Sequence, residues 1–300
     1  MMNFTKYLLF AVLAGMLTFS ACDVLNKQPL DEISGDAVWT DPALVEAYVN
    51  DIYLGMGHGL YEIMQASMTS DMHFIHNYGT ANVVQATINP SDRGAYGDWR
   101  FDRFDWENLY DRIRQINIFF ERIEPSAFND QELLKRLKGE GYFLRAYFYH
   151  NLLRMYGGVP IITKVYGLKD DDMLVKRNSF KETVEFIVQQ ADSAASLLPT
   201  EYTGDAVGRA SKGAALALKS RVLLYAASDL YHENPSGMAE TGYTQSQDRQ
   251  AMWQAAKDAA QAVMDLNAYQ LFRANPDPTD STALNYYQLF TTPDNEEAIM

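Results

Sequence analysis

The sequence contains a single cysteine, Cys22, among its 300 residues. One thiol cannot form a disulfide within the chain, and a chain of this length can bury a core that needs none. The N-terminal apolar stretch at residues 7–17 is also short, because a helix that crosses a bilayer needs about 20 apolar residues. This stretch is therefore too short to be a membrane span.

Basic residues are scarce as well. The chain has 25 Lys and Arg residues against 39 Asp and Glu residues, and its net charge is −14. Nucleic-acid binding requires Lys and Arg to neutralise phosphates, so the composition opposes a nucleic-acid partner. It also opposes broad contact with anionic lipid. Any attachment to a membrane is therefore expected to come from an anchor and not from the protein surface.

Motifs of catalysis and of phosphate binding are missing. The sequence has no H-E-x-x-H, no G-x-S-x-G and no Walker-type phosphate loop. The glycine-rich run at residues 55–59 follows a predicted helix instead of a strand, so it does not fit a dinucleotide site. A glycoside hydrolase would need two carboxylates at a defined separation, and the 39 acidic residues single out no pair. We expect neither an enzyme nor a cofactor.

Two short polar runs contain possible metal ligands. His73 and His76 lie close together in the sequence, but the spacing indicates no third ligand. Asp170, Asp171 and Asp172 offer oxygen ligands without the glycine and the terminal glutamate of an EF-hand loop. We therefore expect no metal site, and we interpret the aspartate run as a solvated acidic turn.

The N-terminus has the pattern of an exported precursor. Lys6 precedes the apolar stretch, and the small residues Ser20 and Ala21 precede Cys22. This arrangement resembles the bacterial lipobox, in which the cysteine is diacylated and becomes the mature N-terminus. The alternative is an ordinary signal peptide with a chance cysteine.

Three regions follow from the lipobox interpretation. Residues 1–21 are expected to be a lipoprotein signal peptide that is removed. Residues 22–40 are expected to form a lipidated tether, since Pro29 argues against a helix there. Residues 41–300 are expected to form the helical domain. The mature protein would then be attached to a membrane without crossing it.

Apolar residues recur at helical spacing through most of the remaining chain. Asp41 followed by Pro42 predicts a helix start, and Ser179 with Glu182 predicts a capping box. The predicted helices cover residues 42–54, 104–123 and 131–156, a segment between Ser179 and Pro199, a segment after Ser211, and a segment after the loop at 232–247.

Each predicted helix has an apolar stripe that is expected to face the core. Arg145 and Arg154 are charged residues within the third helix, which is otherwise apolar on several sides. Each is expected to pair with a carboxylate or with a helix end. The stripes consist of Trp106, Leu109, Ile113, Ile116 and Phe120 in the second helix, of Leu133, Leu137, Leu144, Phe148, Leu152 and Met155 in the third, and of Trp253, Ala256, Ala260, Val263 and Leu266 in the last.

Successive helices joined by loops with Pro or Gly predict antiparallel helix pairs. We therefore predict an all-α fold of tetratricopeptide-like stacked helix pairs, with long irregular loops and little strand. No strict 34-residue period is visible. Residues 67–99 are predicted to be a long irregular excursion, and short strand signals are limited to residues 159–163 and 269–272.

Four stretches together resemble the SusD/RagB family of outer-membrane nutrient-binding lipoproteins from Bacteroidetes. Residues 141–163, GYFLRAYFYHNLLRMYGGVPIIT, are similar to the most recognisable segment of that family. The combination is more specific than any one stretch. The other three are the opening from Cys22 through Pro29 to Thr40, residues 106–121 (WENLYDRIRQINIFFE) and residues 208–225 (GRASKGAALALKSRVLLY).

The resemblance implies that the protein binds a nutrient ligand and does not catalyse a reaction. A SusD-like protein is lipid-anchored in the outer membrane at the cell surface, covers a TonB-dependent barrel of the SusC type and passes glycans to it. The RagB branch of the family implies a peptide ligand, so an oligosaccharide and a peptide both stay open. Family members are usually longer, and Met300 falls where the middle of such a protein is expected, so the resemblance implies a C-terminally truncated chain.

The candidate ligand contacts combine aromatic rings with polar side chains. Sugar rings stack their C–H faces on Trp and Tyr, and sugar hydroxyls need Asp, Asn or Arg as partners. Family glycan sites use loop residues between the first helix and the first repeat, and also later loops. The alternative is that Tyr78 and Trp99 only pack the loop onto the helices. The candidates are Asp71, Asn77, Tyr78, Trp99 and Arg100 and, in a later loop, Tyr286 and Tyr287.

Overall fold

The computed structural model describes residues 37–56, 105–167, 170, 172, 174–232, 248–273, 284–292 and 295–300. These residues form helices and connecting segments without a strand, which confirms the predicted all-α class. The helices are α1 (Pro42–Tyr53), α2 (Trp106–Arg122), α3 (Gln131–Tyr156), α4 (Phe180–Leu197), α5 (Lys212–Ala227), the single turn α6 (Asp229–His232), α7 (Arg249–Met264) and α8 (Leu284–Thr291).

Local hydrogen bonds fix where the helices begin. Asp41 accepts from the amide of Ala43 at 2.9 Å, and Pro42 occupies the first helical position, where no amide donor is needed. Ser179 accepts from the amide of Glu182 at 3.1 Å, and the Glu182 carboxylate accepts from the amide of Ser179 at 2.7 Å. The predicted capping box is therefore confirmed.

The helices stack in chain order. α2 packs against α3, α3 against α4, α4 against α5, and α5 against α7, while α1 contacts both α2 and α3. The helices α2 to α5 thus bury apolar residues against their neighbours in the chain, as in helix-pair repeats. The largest fully buried side chains are Tyr149, Phe119, Phe148, Phe180, Ile52, Leu109, Ile113, Ile116, Leu137, Leu144, Leu152 and Leu153.

Two glycines let α3 approach its neighbours closely. A Cβ at Gly139 would lie 2.7 Å from Cδ2 of Leu198, and a Cβ at Gly141 would lie 2.9 Å from Cε1 of Phe119. Both distances are shorter than carbon atoms tolerate. The absent side chains therefore set the spacing of α3 from α2 and from the end of α4.

Some predicted core positions are wrong. Met155 is exposed at the end of α3, and Trp106 is 38% exposed at the start of α2. In α7 the buried positions are Ala256 and Ala259, whereas Trp253 is 40% exposed. Small side chains at the contact allow α7 to lie close against α5, so the larger ring points outward.

The segment that follows α3 is extended but is not a strand. Gly157 ends α3 with a φ of 74°, a conformation that favours glycine. The amide of Ile162 donates to the Tyr149 hydroxyl at 2.6 Å, and the amide of Ile161 donates to Oδ1 of Asn178 at 3.0 Å. The carbonyl of Val159 accepts from the amide of Asn178 at 3.2 Å, and side chains satisfy the amides of the next residues. The strand signal at residues 159–163 therefore marks a strap across the helices.

The strand signal at residues 269–272 also corresponds to an extended segment. The amide of Gln270 donates to the carbonyl of Glu296 at 3.1 Å, and the amide of Phe272 donates to the Glu297 carboxylate at 3.1 Å. These bonds join the segment after α7 to residues 295–300. Within the described parts of the chain, no helix is both long enough and apolar enough to cross a bilayer.

Candidate functional site

The two described candidates, Tyr286 and Tyr287, lie on the short helix α8 and not in a loop. Tyr286 is 69% exposed and Tyr287 is 65% exposed. Asn295 holds the C-terminal end of α8, because its side-chain amide donates to the carbonyl of Leu289 at 2.9 Å and to that of Thr292 at 3.0 Å. The helix therefore presents both rings to solvent, and its C-terminal carbonyls are hydrogen-bonded by Asn295.

Phe290 is a residue that the sequence reasoning missed. Its ring centroid lies 5.2 Å from that of Tyr286, the interplanar angle is 71°, and the side chain is 72% exposed. Positions four apart share a helix face, whereas Tyr287 points about 100° away from Tyr286. The i, i+4 spacing was the signal that could have found this exposed aromatic pair.

The other candidates lie outside the described residues. The structure therefore gives no geometry for the five residues expected between α1 and α2, for the two histidines or for the lipidation site. These residues are Asp71, Asn77, Tyr78, Trp99, Arg100, His73, His76 and Cys22.

In the acidic run at residues 170–172, the described aspartates bind groups of the protein itself. The ammonium group of Lys164 lies 2.7 Å from Oδ2 of Asp172, and Oδ2 of Asp170 accepts from the amide of Gly167 at 2.8 Å. Lys164 lowers the pKa of the Asp172 carboxyl through this hydrogen bond. Across the described ranges, no group of three or more potential metal-ligating side chains is present.

A partly buried network of two arginines and two glutamates joins α1, α3 and the segment before α5. Glu140 is fully buried, 3.2 Å from Arg136 and 3.1 Å from Arg209. Both arginines also contact Glu46, Arg209 at 3.2 Å and Arg136 at 2.5 Å. Burial raises the pKa of Glu140, and the two guanidinium groups oppose that rise. The network balances its formal charges and fixes α1 against the stack.

Arg145 departs from the sequence expectation. Its Nε donates to Oε1 of Gln190 at 2.8 Å and its Nη1 donates to Oδ1 of Asn117 at 3.2 Å. The guanidinium carbon also lies 4.7 Å from the ring centroid of Phe120. Among the described residues, its hydrogen-bond partners are thus amides and not carboxylates. Amide oxygens and ring faces stabilise this buried cation between α2, α3 and α4.

Arg154 agrees with the helix-end expectation. It lies in the last turn of α3, where a cation interacts favourably with the helix dipole. Its Nη2 also donates to Oδ1 of Asn151 at 3.0 Å. Both arginines serve the fold.

A mostly apolar groove of about 380 Å³ lies between α4, α5 and the start of α7. Val184 and Val188 of α4 face Leu223 of α5 and Met252 of α7 across it. Of the described candidates, neither Tyr286 nor Tyr287 lines the groove. Its lining suits an apolar side chain better than a sugar hydroxyl.

The comparisons place the chain in a family. A family model described as starch-binding and associating with the outer membrane matches residues 25–224. The chain belongs to this SusD-like family. The resemblance carried by residues 141–163 and the other three stretches is therefore confirmed at the level of the family.

Individual relatives agree with this assignment. SusD-like protein P38 from Formosa agariphila is 24% identical over 232 residues, which is 72% of this chain and 41% of the relative. A crystal structure of a SusD-like protein from Bacteroides fragilis is 29% identical and has a TM-score of 0.66, covering 91% of this chain and 47% of that chain. A SusD superfamily protein from Parabacteroides distasonis, 23% identical with a TM-score of 0.54, shares the fold over 76% of this chain and 45% of its own. The chain thus spans less than half the length of each.

Proposed function

We propose that this protein binds oligosaccharides at the cell surface and delivers them to a SusC-like TonB-dependent transporter in the outer membrane. The observation that carries the proposal is the family match over residues 25–224, whose description names starch binding and outer-membrane association. Capture and transfer need no reaction, so the proposed role is a binding role without catalysis.

The proposed anchor is a lipid on Cys22. Residues 1–21 would be removed as a signal peptide, residues 22–40 would form the tether, and residues 41–300 would form the SusD-like domain. Metabolic labelling with radioactive palmitate tests this proposal, because label should enter the unaltered chain and should be absent from Cys22→Ala. Label on the Cys22→Ala chain would contradict it.

The proposed glycan contacts are aromatic rings with polar neighbours. Exposed rings of Tyr286 and Phe290 support this proposal, since an exposed aromatic pair presents apolar faces that a pyranose ring can cover. Tyr287 stays a proposed contact on the adjacent face. Asp71, Asn77, Tyr78, Trp99 and Arg100 stay proposed contacts from the segment before α2.

A peptide ligand is the second candidate. The apolar groove between α4, α5 and α7 favours it, because grooves between stacked helices can accept apolar side chains of a bound chain. Lys181 and Glu185, 3.7 Å apart at the edge of this groove, would supply polar contacts to a peptide backbone.

Isothermal titration of the detergent-purified protein with a panel of oligosaccharides and a panel of oligopeptides separates the two candidates. Saturable heat with glycans, with the glycan recovered uncleaved, is the expected result. Binding to peptides alone would replace the glycan proposal with the peptide proposal. Glycan cleavage that follows the purified protein would contradict a role without catalysis.

The proposed transfer step requires a partner. Affinity purification of the tagged protein from solubilised outer membranes should recover a TonB-dependent barrel. Recovery of the protein without such a barrel, under conditions that preserve other outer-membrane complexes, would contradict delivery while leaving glycan binding in place.

A further inference from the structure

Trp106 is the first residue of α2, and 38% of its surface is exposed. The preceding residue, Asp105, caps the helix by accepting from the amide of Asn108 at 2.8 Å. This cap fixes where the helix starts, so it also fixes the backbone that carries the tryptophan. By contrast, Trp39 is buried with its ring 4.9 Å from that of Tyr48.

Two tyrosines hold the indole ring in place. The ring centroid of Tyr110 lies 4.9 Å from that of Trp106, at an interplanar angle of 45°. The ring of Tyr156, at the end of α3, lies 5.3 Å away at 84°. Contacts from two helices restrict the tryptophan side chain while leaving part of it open to solvent. The ring is therefore ordered before any ligand arrives.

The tyrosines are themselves fixed. The Tyr110 hydroxyl donates to the carbonyl of Pro160 at 2.6 Å, in the extended strap after α3. Burial raises the pKa of Tyr110 well above its usual range, so this hydroxyl stays a donor at neutral pH. The carbonyl of Tyr156 accepts a hydrogen bond from Nη2 of Arg177. The aromatic cluster thus stands on a rigid junction of α2, α3 and the strap.

Arg177 adds exposed hydrogen-bond donors beside the cluster. Its Nε donates to the carbonyl of Gly158 at 2.7 Å, which orients the guanidinium group along the strap. Its Nη2 donates to the carbonyl of Tyr156, so the cation lies against the backbone of a residue whose ring contacts Trp106. Side chains of this type bind sugar hydroxyls next to an apolar platform.

We propose that Trp106 is a sugar-stacking platform, on which the C–H face of a pyranose ring lies while Arg177 donates to its hydroxyls. This inference rests on the proposed oligosaccharide binding and adds a ring that the sequence assigns to the core. Stacking covers apolar surface that is otherwise exposed to water, and the tyrosines spare the ligand the cost of ordering the indole.

Titration of the full chain with the oligosaccharide panel tests the inference, with Trp106→Ala and Trp253→Ala compared. Trp253 is the matched control because it is 40% exposed on α7. We expect Trp106→Ala to weaken glycan binding by about tenfold or more, and Trp253→Ala to leave it unchanged. Bound glycan should also change the tryptophan fluorescence of the Trp253→Ala chain more than that of the Trp106→Ala chain.

A third variant protects the test against misfolding. Trp106→Phe retains a ring in the cluster, so it should keep the helical circular dichroism of the unaltered chain and bind glycan with an affinity between those of the unaltered and Trp106→Ala chains. If Trp106→Ala does not fold, this variant decides alone, and unchanged affinity overturns the inference.

The outcomes separate the platform from the proposed function. Glycan binding by the unaltered chain that Trp106→Ala retains in full would overturn the platform alone. Equal losses in Trp106→Ala and Trp253→Ala would also overturn it, because they would indicate a general effect of removing exposed tryptophans. No binding by the unaltered chain to any glycan would overturn the proposed function and the platform together.

Discussion

At the scale of single residues, Glu140 is a charged side chain buried between two arginines. The side chain is fully buried, and its carboxylate lies 3.2 Å from Arg136 and 3.1 Å from Arg209. Removing one member of such a network leaves the other charges in a low-dielectric interior without their partner. Removing Glu140 should therefore destabilise the fold far more than removing a carboxylate from an exposed ion pair.

We expect Glu140→Ala to lower the free energy of unfolding by about 3 kcal/mol. The measurement is urea denaturation at pH 7 followed by circular dichroism. Glu132→Ala serves as the control, since the Glu132 side chain is 87% exposed in its ion pair with Lys135. Its change should stay below about 0.5 kcal/mol. Similar losses in both variants would contradict a special role for the buried network.

His150 is a second residue with a predicted effect on stability. It is buried in α3, and its Nδ1 has no hydrogen-bond partner among the residues that the structure describes. Burial, together with Arg154 and Arg221, lowers its pKa from 6.5 to about 4. The unfolded chain therefore takes up a proton at a higher pH than the folded chain. Stability from this residue is present above about pH 6.5 and is lost as the pH falls toward 4.

His150→Leu should remove this pH dependence. We expect the unaltered chain to lose up to about 3 kcal/mol through this residue between pH 7 and pH 4. Leucine has a similar volume and needs no partner, so the variant should be close to the unaltered chain at pH 7 and more stable at pH 4.5. Urea denaturation at both pH values measures the difference. Parallel losses in the two chains would rule out His150 as the cause.

At the scale of elements, the strap after α3 depends on a close approach of two backbones. A Cβ at Gly158 would lie 2.2 Å from the carbonyl oxygen of Asn178 and 2.7 Å from the amide nitrogen of Phe180. Backbone atoms at the start of α4 cannot rotate away as a side chain can. The strap and the first turn of α4 would have to separate.

Gly158→Ala should therefore lower the free energy of unfolding by about 2 kcal/mol or more. Gly167→Ala is the matched control in the same segment, because a Cβ there would have no neighbour within 4 Å. It should be neutral or slightly stabilising, since alanine restricts the unfolded chain. Thermal denaturation of the two variants side by side gives the comparison. A neutral Gly158→Ala would show that the strap can move away from α4.

Two helix starts could be predicted from local sequence signals alone. Ser179 and Glu182 satisfy each other's amides within one turn, so the capping box could be predicted from four residues. Asp41 and Pro42 define the start of α1 in the same local way. The strand signals failed because a strand needs a continuous backbone ladder. Val159 and Gln270 each make an isolated backbone bond, and side chains satisfy the amides of Ile161, Ile162 and Phe272.

At the scale of the whole molecule, the helix stack leaves exposed aromatic rings on α8. The edge contact between Tyr286 and Phe290 is mostly open to solvent, so neither ring contributes much to the core. We expect Tyr286→Ala to weaken glycan binding by about fivefold while the free energy of unfolding changes by less than about 0.5 kcal/mol. Titration with glycan and urea denaturation of the same sample give both values.

The control for this prediction is Leu271→Ala, an exposed apolar position in the segment after α7. Its glycan affinity should equal that of the unaltered chain. If Tyr286→Ala binds as tightly as Leu271→Ala, the α8 pair is not part of the glycan site. If Tyr286→Ala lowers stability instead, the ring has a packing role that its exposure does not suggest.

The whole molecule also explains why the candidate site was only partly predictable. The residue types of Tyr286 and Tyr287 predict ligand contacts, but their place on a helix and the pairing with Phe290 depend on how α8 forms. The spacing of Trp106 predicts a place in a core stripe. Its partial exposure depends on where α3 ends, because Tyr156 contacts the ring from that helix.

The sequence by itself determined the all-α class and the starts of the helices that Asp41 and Ser179 cap, because caps and apolar periods act over a few neighbouring residues. It also determined the family, through the four stretches that resemble it. Only the tertiary structure decided which faces are buried. Ala256 and Ala259 face α5 and Trp253 points outward because small side chains allow two helices to approach. Arg145 binds amides and ring faces because Asn117 and Gln190, far from it in sequence, meet it between three helices. Contacts between distant residues depend on the packing of the stack, which local spacing does not specify.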